Sequence, residues 1–315
     1  MAALRRLALL VALAALAVVF LAPTADARVR HYWIAAVPTT WDIMPTGRDP
    51  ITGQTFTKDQ TVMEAVVYRR MTANWERFWR NNPNRMGDND GIPGPLIRAR
   101  VGDVIKVHFK NMDTVRNHRH SMHFHGVRYR FGSDGAWIPG VSGPGSNVAP
   151  GRAFTYTLEA IRGSRGAWPY HDHAENMHES LDGGLYGSLS ILGRNERAAD
   201  RENVVFFSTH RGFMTINGRA FPRNTPTPKA QVGDLVQWNV LALGSEHHTF
   251  HLHGHRWKFA GEWVDVRTIG PAESFRFRIR EDVRGTWFYH CHVEAHMAAG
   301  MQGFYEVTGR SRRAL

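Results

Sequence analysis

The chain has 315 residues, 39 of them Lys or Arg against 28 Asp or Glu, for a formal net charge of +11. That length exceeds one typical domain and predicts two. The basic residues are scattered and match no nucleic-acid motif, so a nucleic-acid partner is excluded, and a single cysteine, Cys291, excludes a disulfide within the chain.

Residues 1–27 read as a secretory signal: Arg5 and Arg6, an apolar run, then the small-residue site Ala25-Asp26-Ala27. The Arg pair points weakly to the twin-Arg route. A secreted or periplasmic protein is expected, with no membrane partner after cleavage, because no later apolar run is long enough to span a bilayer. Removing the segment takes two Arg and one Asp, leaving +10.

The remainder reads as short strands broken by Gly and Pro. One helix is predicted over Thr72–Asn82, "TANWERFWRNN", inside an apparent insertion. Beyond it the chain repeats itself. "GDVIKVHFKN" from Gly102 returns as "GDLVQWNVLA" from Gly233, and "HSMHFHG" from His120 returns as "HTFHLHG" from His248. "PYHDH", ending at His173, returns as "FYHCH", ending at His292. The offsets are 233−102 = 131, 248−120 = 128 and 292−173 = 119. Constant order at near-constant spacing predicts an all-β fold of two tandem Greek-key β-sandwiches, residues 28–195 and 196–315. The link between them is the polar stretch from Ile191 to Val205. Alternation in "VIKVHF" and "FTYTLEA" fits strands with one buried face.

Four His-X-His pairs fall in the repeats: His123/His125, His171/His173, His251/His253 and His290/His292. Residues i and i+2 of a strand share a face, so each pair aims two imidazoles at one place. Imidazole suits copper, zinc, iron and nickel. One pair alone would be unremarkable, whereas four at matched positions form a ligand set. Cys291 stands between His290 and His292, with His296, Met301 and the upstream His248 at hand. A thiolate, two imidazoles and a weak Met are the ligands of a blue-copper electron-transfer centre. A nucleophilic cysteine would leave Met301 unused, and an inert thiol would leave the flanking imidazoles unexplained. Because adjacent strand residues face opposite ways, the Cys291 copper and the metals on His290 and His292 should lie about 10–15 Å apart, joined by Cys291 and its backbone.

The motifs HFHG, HDH, HxxHxHG and HCHxxxHxxxxM resemble the copper-binding segments of multicopper oxidases, and in particular two-domain laccases whose blue copper lies in the second domain. "HYWIAAVPTTWDIMP" also resembles the opening strand of ceruloplasmin-type domains, which are cupredoxin-like. The resemblance implies four coppers per active unit. His248, Cys291, His296 and Met301 would hold the type 1 copper, and His123 and His251 the type 2 copper. His125, His171, His173, His253, His290 and His292 would hold the type 3 pair. The first repeat has Asp172 where the second has Cys291, so no blue site is expected there. His120 stands in the place of His248, and His178 is the nearest downstream histidine; both are expected to be flanking or surface residues. Copper nitrite reductases share two such domains but carry the blue copper in the first and lack the type 3 set, which disfavours that alternative.

The same resemblance implies four-electron reduction of O₂ to water at the expense of phenols or aromatic amines. A ferroxidase or cuprous oxidase is the alternative, with Glu246 and Glu294 beside an exposed edge of His248 favouring Fe(II). Asp265, Asp172 and Tyr129 are the candidate proton or electron relays. A homotrimer is expected, with the cluster shared between the first domain of one protomer and the second of the next.

Overall fold

The computed structural model describes residues 27–82 and 86–309; the predicted signal segment falls outside them apart from Ala27. The described chain is mostly β, with a few short helices. Its first half packs a five-stranded sheet against a four-stranded one. The five-stranded sheet runs, in spatial order, Val62–Met71, Val29–Asp42, Val104–Asn111, Ala153–Glu159 and Arg128–Tyr129. The four-stranded sheet runs Ile97–Arg100, Tyr186–Leu192, Gly166–His171 and His123–Phe124. The second half repeats the plan. One sheet is Phe213–Ile216, Arg201–His210, Leu235–Ala242 and Ser274–Arg280; the other is Lys229–Gln231, Gln302–Thr308, Gly285–Cys291, His248–Leu252 and Val266–Ile269. These are two cupredoxin-like domains.

Alternation sets the cores. In Val104–Asn111 every second side chain is buried, so Ile105, Val107 and Phe109 line one face with Tyr156 and Leu158 of the neighbouring strand, in one core with Ile97, Leu189 and Ile191 of the other sheet. Trp238, Phe250, Phe277 and Tyr289 fill the second, with Cys291 and Met301 in the same apolar cluster. A third cluster joins the halves: Trp41, Ile43 and Ile92 meet Val204, Phe206 and Leu241. Around it, Trp41 Nε1 donates to the Gly218 carbonyl at 2.6 Å, and Arg98 pairs with Glu202 at 2.7 Å.

The helix predicted over Thr72–Asn82 does not form. Only Ala73–Trp75 makes a 3₁₀ turn, and Asn74 and Trp75 have φ of 57° and 56°, the left-handed region that an L-residue helix avoids. Tertiary contacts claim the aromatic rings instead. Trp75 Nε1 donates to the carbonyls of Ile34 (3.2 Å) and His108 (3.1 Å), and the Arg70 guanidinium sits 4.0 Å from the Trp79 ring centre.

Candidate metal centre

Two neighbouring strands build the site in the second domain. Cys291 pairs with Phe250 and His290 with His251 across an antiparallel ladder. Successive side chains alternate faces, so Cys291 enters the sandwich core while His290 and His251 turn the other way. Cys291 is fully buried. Its Sγ lies 4.0 Å from His248 Nδ1 and 3.7 Å from His296 Nδ1, and the two nitrogens are 3.2 Å apart. Trigonal ligation, with bonds of roughly 2.0 Å to nitrogen and 2.3 Å to sulfur, calls for N···N near ~3.5 Å and N···S near ~3.7 Å. The three donors fit a bound copper ion. Met301, also fully buried, is fixed by two backbone bonds: it donates to the His296 carbonyl (3.1 Å) and accepts from Cys291 N–H (3.0 Å). Burial pushes the Cys291 thiol up, opposed by a bond from the Thr249 N–H to Sγ at 3.3 Å. Burial also pushes His248 down to about 4, with His296 adding to it, so its ring is neutral and ready to ligate.

The paired histidines form two matching groups. His123, His125 and His171 converge in the first domain, and His251, His253 and His290 in the second. His125 Nε2 and His171 Nε2 are 3.2 Å apart, as are His253 Nε2 and His290 Nε2. The ring of His173 lies 5.3 Å from that of His123, and the ring of His292 lies 5.5 Å from that of His251. Backbone carbonyls hold the far nitrogens. His123 Nδ1 donates to Asp134 O (2.7 Å), His171 Nδ1 to Asp172 O (2.8 Å), His251 Nδ1 to Asp265 O (2.8 Å) and His290 Nδ1 to Cys291 O (2.9 Å). That is the orientation a metal-binding imidazole needs, with Nε2 left free. Burial, with neighbouring imidazoles adding to it, pushes His125 and His290 down to about 4 and His171 to about 3. Among the described residues, each converging group draws all its donors from one domain.

Two family profiles described as multicopper oxidase match the chain, one over residues 72–196 and the other over 194–310. The chain belongs to the multicopper oxidases. It is 34% identical over 246 residues to a "probable nitrite reductase-hydroxylamine oxidoreductase fusion protein" of Kuenenia stuttgartiensis, covering 70% of this chain and 28% of that one. It is 29% identical over 347 residues to "Ferroxidase HEPHL1" of Homo sapiens, covering 88% and 29%. Ceruloplasmins match as well, in keeping with the likeness of the opening strand. The chain thus spans under a third of the length of these curated relatives. A solved structure titled as a multicopper oxidase superposes with a TM-score of 0.67 at 25% identity, covering 89% of each chain.

In this multicopper oxidase the candidate relays have different surroundings. The Tyr129 ring lies edge-on to His123 at 6.2 Å, and burial together with the charge and hydrogen bond of Asp134 pushes its phenol up to about 12. Asp265 has an exposed side chain and touches the site through its carbonyl to His251. Asp172 is fully buried and points into the first sandwich, away from the ligands that flank it. His178 lies on the surface, 3.5 Å from Asp182. His248 has no exposed edge: it is 1% accessible, covered in part by Phe207, whose ring centre is 5.2 Å away. Glu246 and Glu294 are exposed. Sequence reading missed Asp134, although 265−134 = 131 repeats the offset between Gly102 and Gly233 and marks it as the counterpart of Asp265. It also missed Thr249, the residue after His248 in "HTFHLHG".

Proposed function

We propose that the protein is a laccase-like oxidase that couples one-electron oxidation of phenols or aromatic amines to reduction of O₂ to water. Bound copper would supply the redox chemistry, one ion at the thiolate site and three on the eight paired imidazoles. The observation that carries the reading is the sharing of one strand end: Cys291 serves the buried site, while His290 and His292 on either side serve the imidazole groups. With His248 1% and His296 8% accessible, a donor meets the protein surface rather than the metal. The buried ligands exclude water, and the carbonyl-bonded Nδ1 atoms hold the imidazole rings in place.

We place the complete oxygen site between chains. Each domain offers four of the eight paired imidazoles, and exposed apolar residues border both sets. Phe131, Ile138 and Val141 lie on the loop that bonds His123 and His173, while Trp263 and Val266 follow His253. Contiguous exposed apolar surface marks an interaction face. A head-to-tail contact between the two faces closes into a ring, and a homotrimer is the proposed assembly. The chain is proposed to work outside the cytoplasm after loss of residues 1–27, which carry the signal pattern.

A second reading, oxidation of Fe(II) or Cu(I), draws on exposed Glu246 and Glu294 near His248 and His296, and on the relative named a ferroxidase. O₂ uptake by the copper-loaded protein, with a phenol, Fe(II) or Cu(I) as sole donor, separates the readings. Uptake with Fe(II) alone would overturn the phenol assignment. Nitrite consumption without O₂ uptake would overturn the oxidase itself.

A further inference from the structure

The first domain keeps the outline of the thiolate pocket but fills it with a buried ion cluster. His120 stands where the second domain has His248, Ser121 where it has Thr249, and Asp172 where it has Cys291. In the second domain the Thr249 N–H donates to Cys291 Sγ at 3.3 Å. In the first, the Ser121 N–H donates to Asp172 Oδ1 at 2.7 Å, and the Ser121 hydroxyl (3.2 Å) and Ala174 N–H (3.1 Å) donate to the same oxygen. His120 Nδ1 donates to Asp172 Oδ2 at 2.8 Å. Its other nitrogen, Nε2, donates to Asp113 Oδ2 at 3.2 Å. Asp113 lies just past the strand Val104–Asn111 and accepts from the N–H groups of Val115, Arg116 and His118.

His120 is 1% accessible, and Asp113 and Asp172 are wholly buried. An imidazole that donates from both nitrogens is the cation. Burial alone would push its pKa down; the two carboxylates more than reverse that and raise it. Ions this deep cost several kcal/mol each to desolvate, on the order of what their attraction returns, so stability alone explains them poorly.

The cluster touches both neighbouring imidazole ligands. The Asp172 carbonyl accepts from His171 Nδ1 at 2.8 Å, and Ser121 Oγ accepts from the His173 N–H at 3.1 Å. The second domain has the matching contacts, His290 Nδ1 to the Cys291 carbonyl (2.9 Å) and His292 N–H to the Thr249 carbonyl (2.6 Å). There the residue between the two imidazoles is Cys291, itself a donor to the type 1-like site. Asp172 has no such metal.

We propose that His120 is a positioning residue: locked between Asp113 and Asp172, it takes the structural place of the second domain's blue copper and fixes the turn that carries His171 and His173. The proposal rests on the reading of the paired imidazoles as a copper cluster.

The test compares full-length wild type, His120→Leu and His120→Gln, each stripped of metal and reloaded with copper. Copper per chain, blue absorbance, far-UV circular dichroism and O₂ uptake are measured on each. His120→Leu removes both donors; it should keep the blue band and the β spectrum, bind less copper than wild type and take up O₂ at least tenfold more slowly. His120→Gln retains an N–H donor for Asp172 but loses the one to Asp113, and should recover at least half, though not all, of the lost copper. Undiminished copper and uptake within twofold in His120→Leu would overturn the proposal. So would loss of the blue band together with the remaining copper, which marks a general folding role, or a folded His120→Gln that recovers nothing. If the leucine variant does not fold, His120→Gln set against wild type decides on the same readouts: it should hold less copper than wild type at full blue absorbance, and equal copper overturns the proposal. A wild type that binds only the blue copper removes the cluster itself, and that arm shows the failure of the underlying reading.

Discussion

The copper-free protein should be acid-labile in a defined window. His125, His248 and His290 are held down to about 4 and His171 to about 3, each by burial first and by neighbouring imidazoles second. An unfolded histidine titrates near ~6.5. Between these values the unfolded chain binds protons that the folded chain refuses, so stability falls as pH drops through 6.5 and levels off near 4. At pH 5 each group contributes a loss of about 2 kcal/mol relative to pH 8, from the ratio of the two binding polynomials. Four such groups give about 8 kcal/mol; halving this for partial solvent access and for their mutual coupling leaves about 4 kcal/mol. That is a large share of a typical total of about 5–15 kcal/mol. His120 and His255, whose pKa values are raised by carboxylate partners, do not cancel the effect: they are protonated in both states below 6.5, and their contribution is lost only as pH rises. The assay is urea unfolding of chelator-treated protein followed by tryptophan fluorescence at pH 8, 7, 6 and 5, repeated with copper. Both midpoints should fall below pH 6.5, the loaded one from a higher starting point, since a metal-bound ring takes up no proton and copper adds its binding energy at every pH without flattening the fall. An apo midpoint that is flat from pH 7 to 5 would refute the reasoning.

Cys291→Ser should load copper on the paired imidazoles yet show no blue absorbance, because the thiolate ligand that gives the site its colour is gone; a blue Cys291→Ser protein would remove Cys291 from the site. Phe250→Ala should cost about 3–5 kcal/mol in urea unfolding, because Phe250 is fully buried opposite Cys291 among Trp238, Trp257 and Phe277. A loss under about 1 kcal/mol would mean that this wall of the copper pocket is loosely packed. Sedimentation of loaded and chelated protein should show a trimer that loosens when copper leaves, since ligand bonds across an interface add to its stability; a fully active monomer would place the whole oxygen site within one chain.

The converging histidines and the group around Cys291 were legible in the sequence because their arrangement is local. A strand repeats every two residues, so His-X-His and His-Cys-His fix which side chains share a face before any sheet is assembled. Duplication made the pattern readable twice, and the all-β sandwiches follow from the same alternation. What escaped the sequence depends on contacts between distant segments. The aromatic run after Thr72 has a helical composition, but Trp75 finds its partners on the strands of Ile34 and His108, and no local rule predicts them. The burial of His248 beneath Phe207 is decided by how one sheet lies on the other. Asp113, His120 and Asp172 show no spacing that marks them as a set; they meet because the loop after Asn111 folds over the end of the strand that carries His171. Chain period set the faces of the ligands, and packing chose what stands behind them.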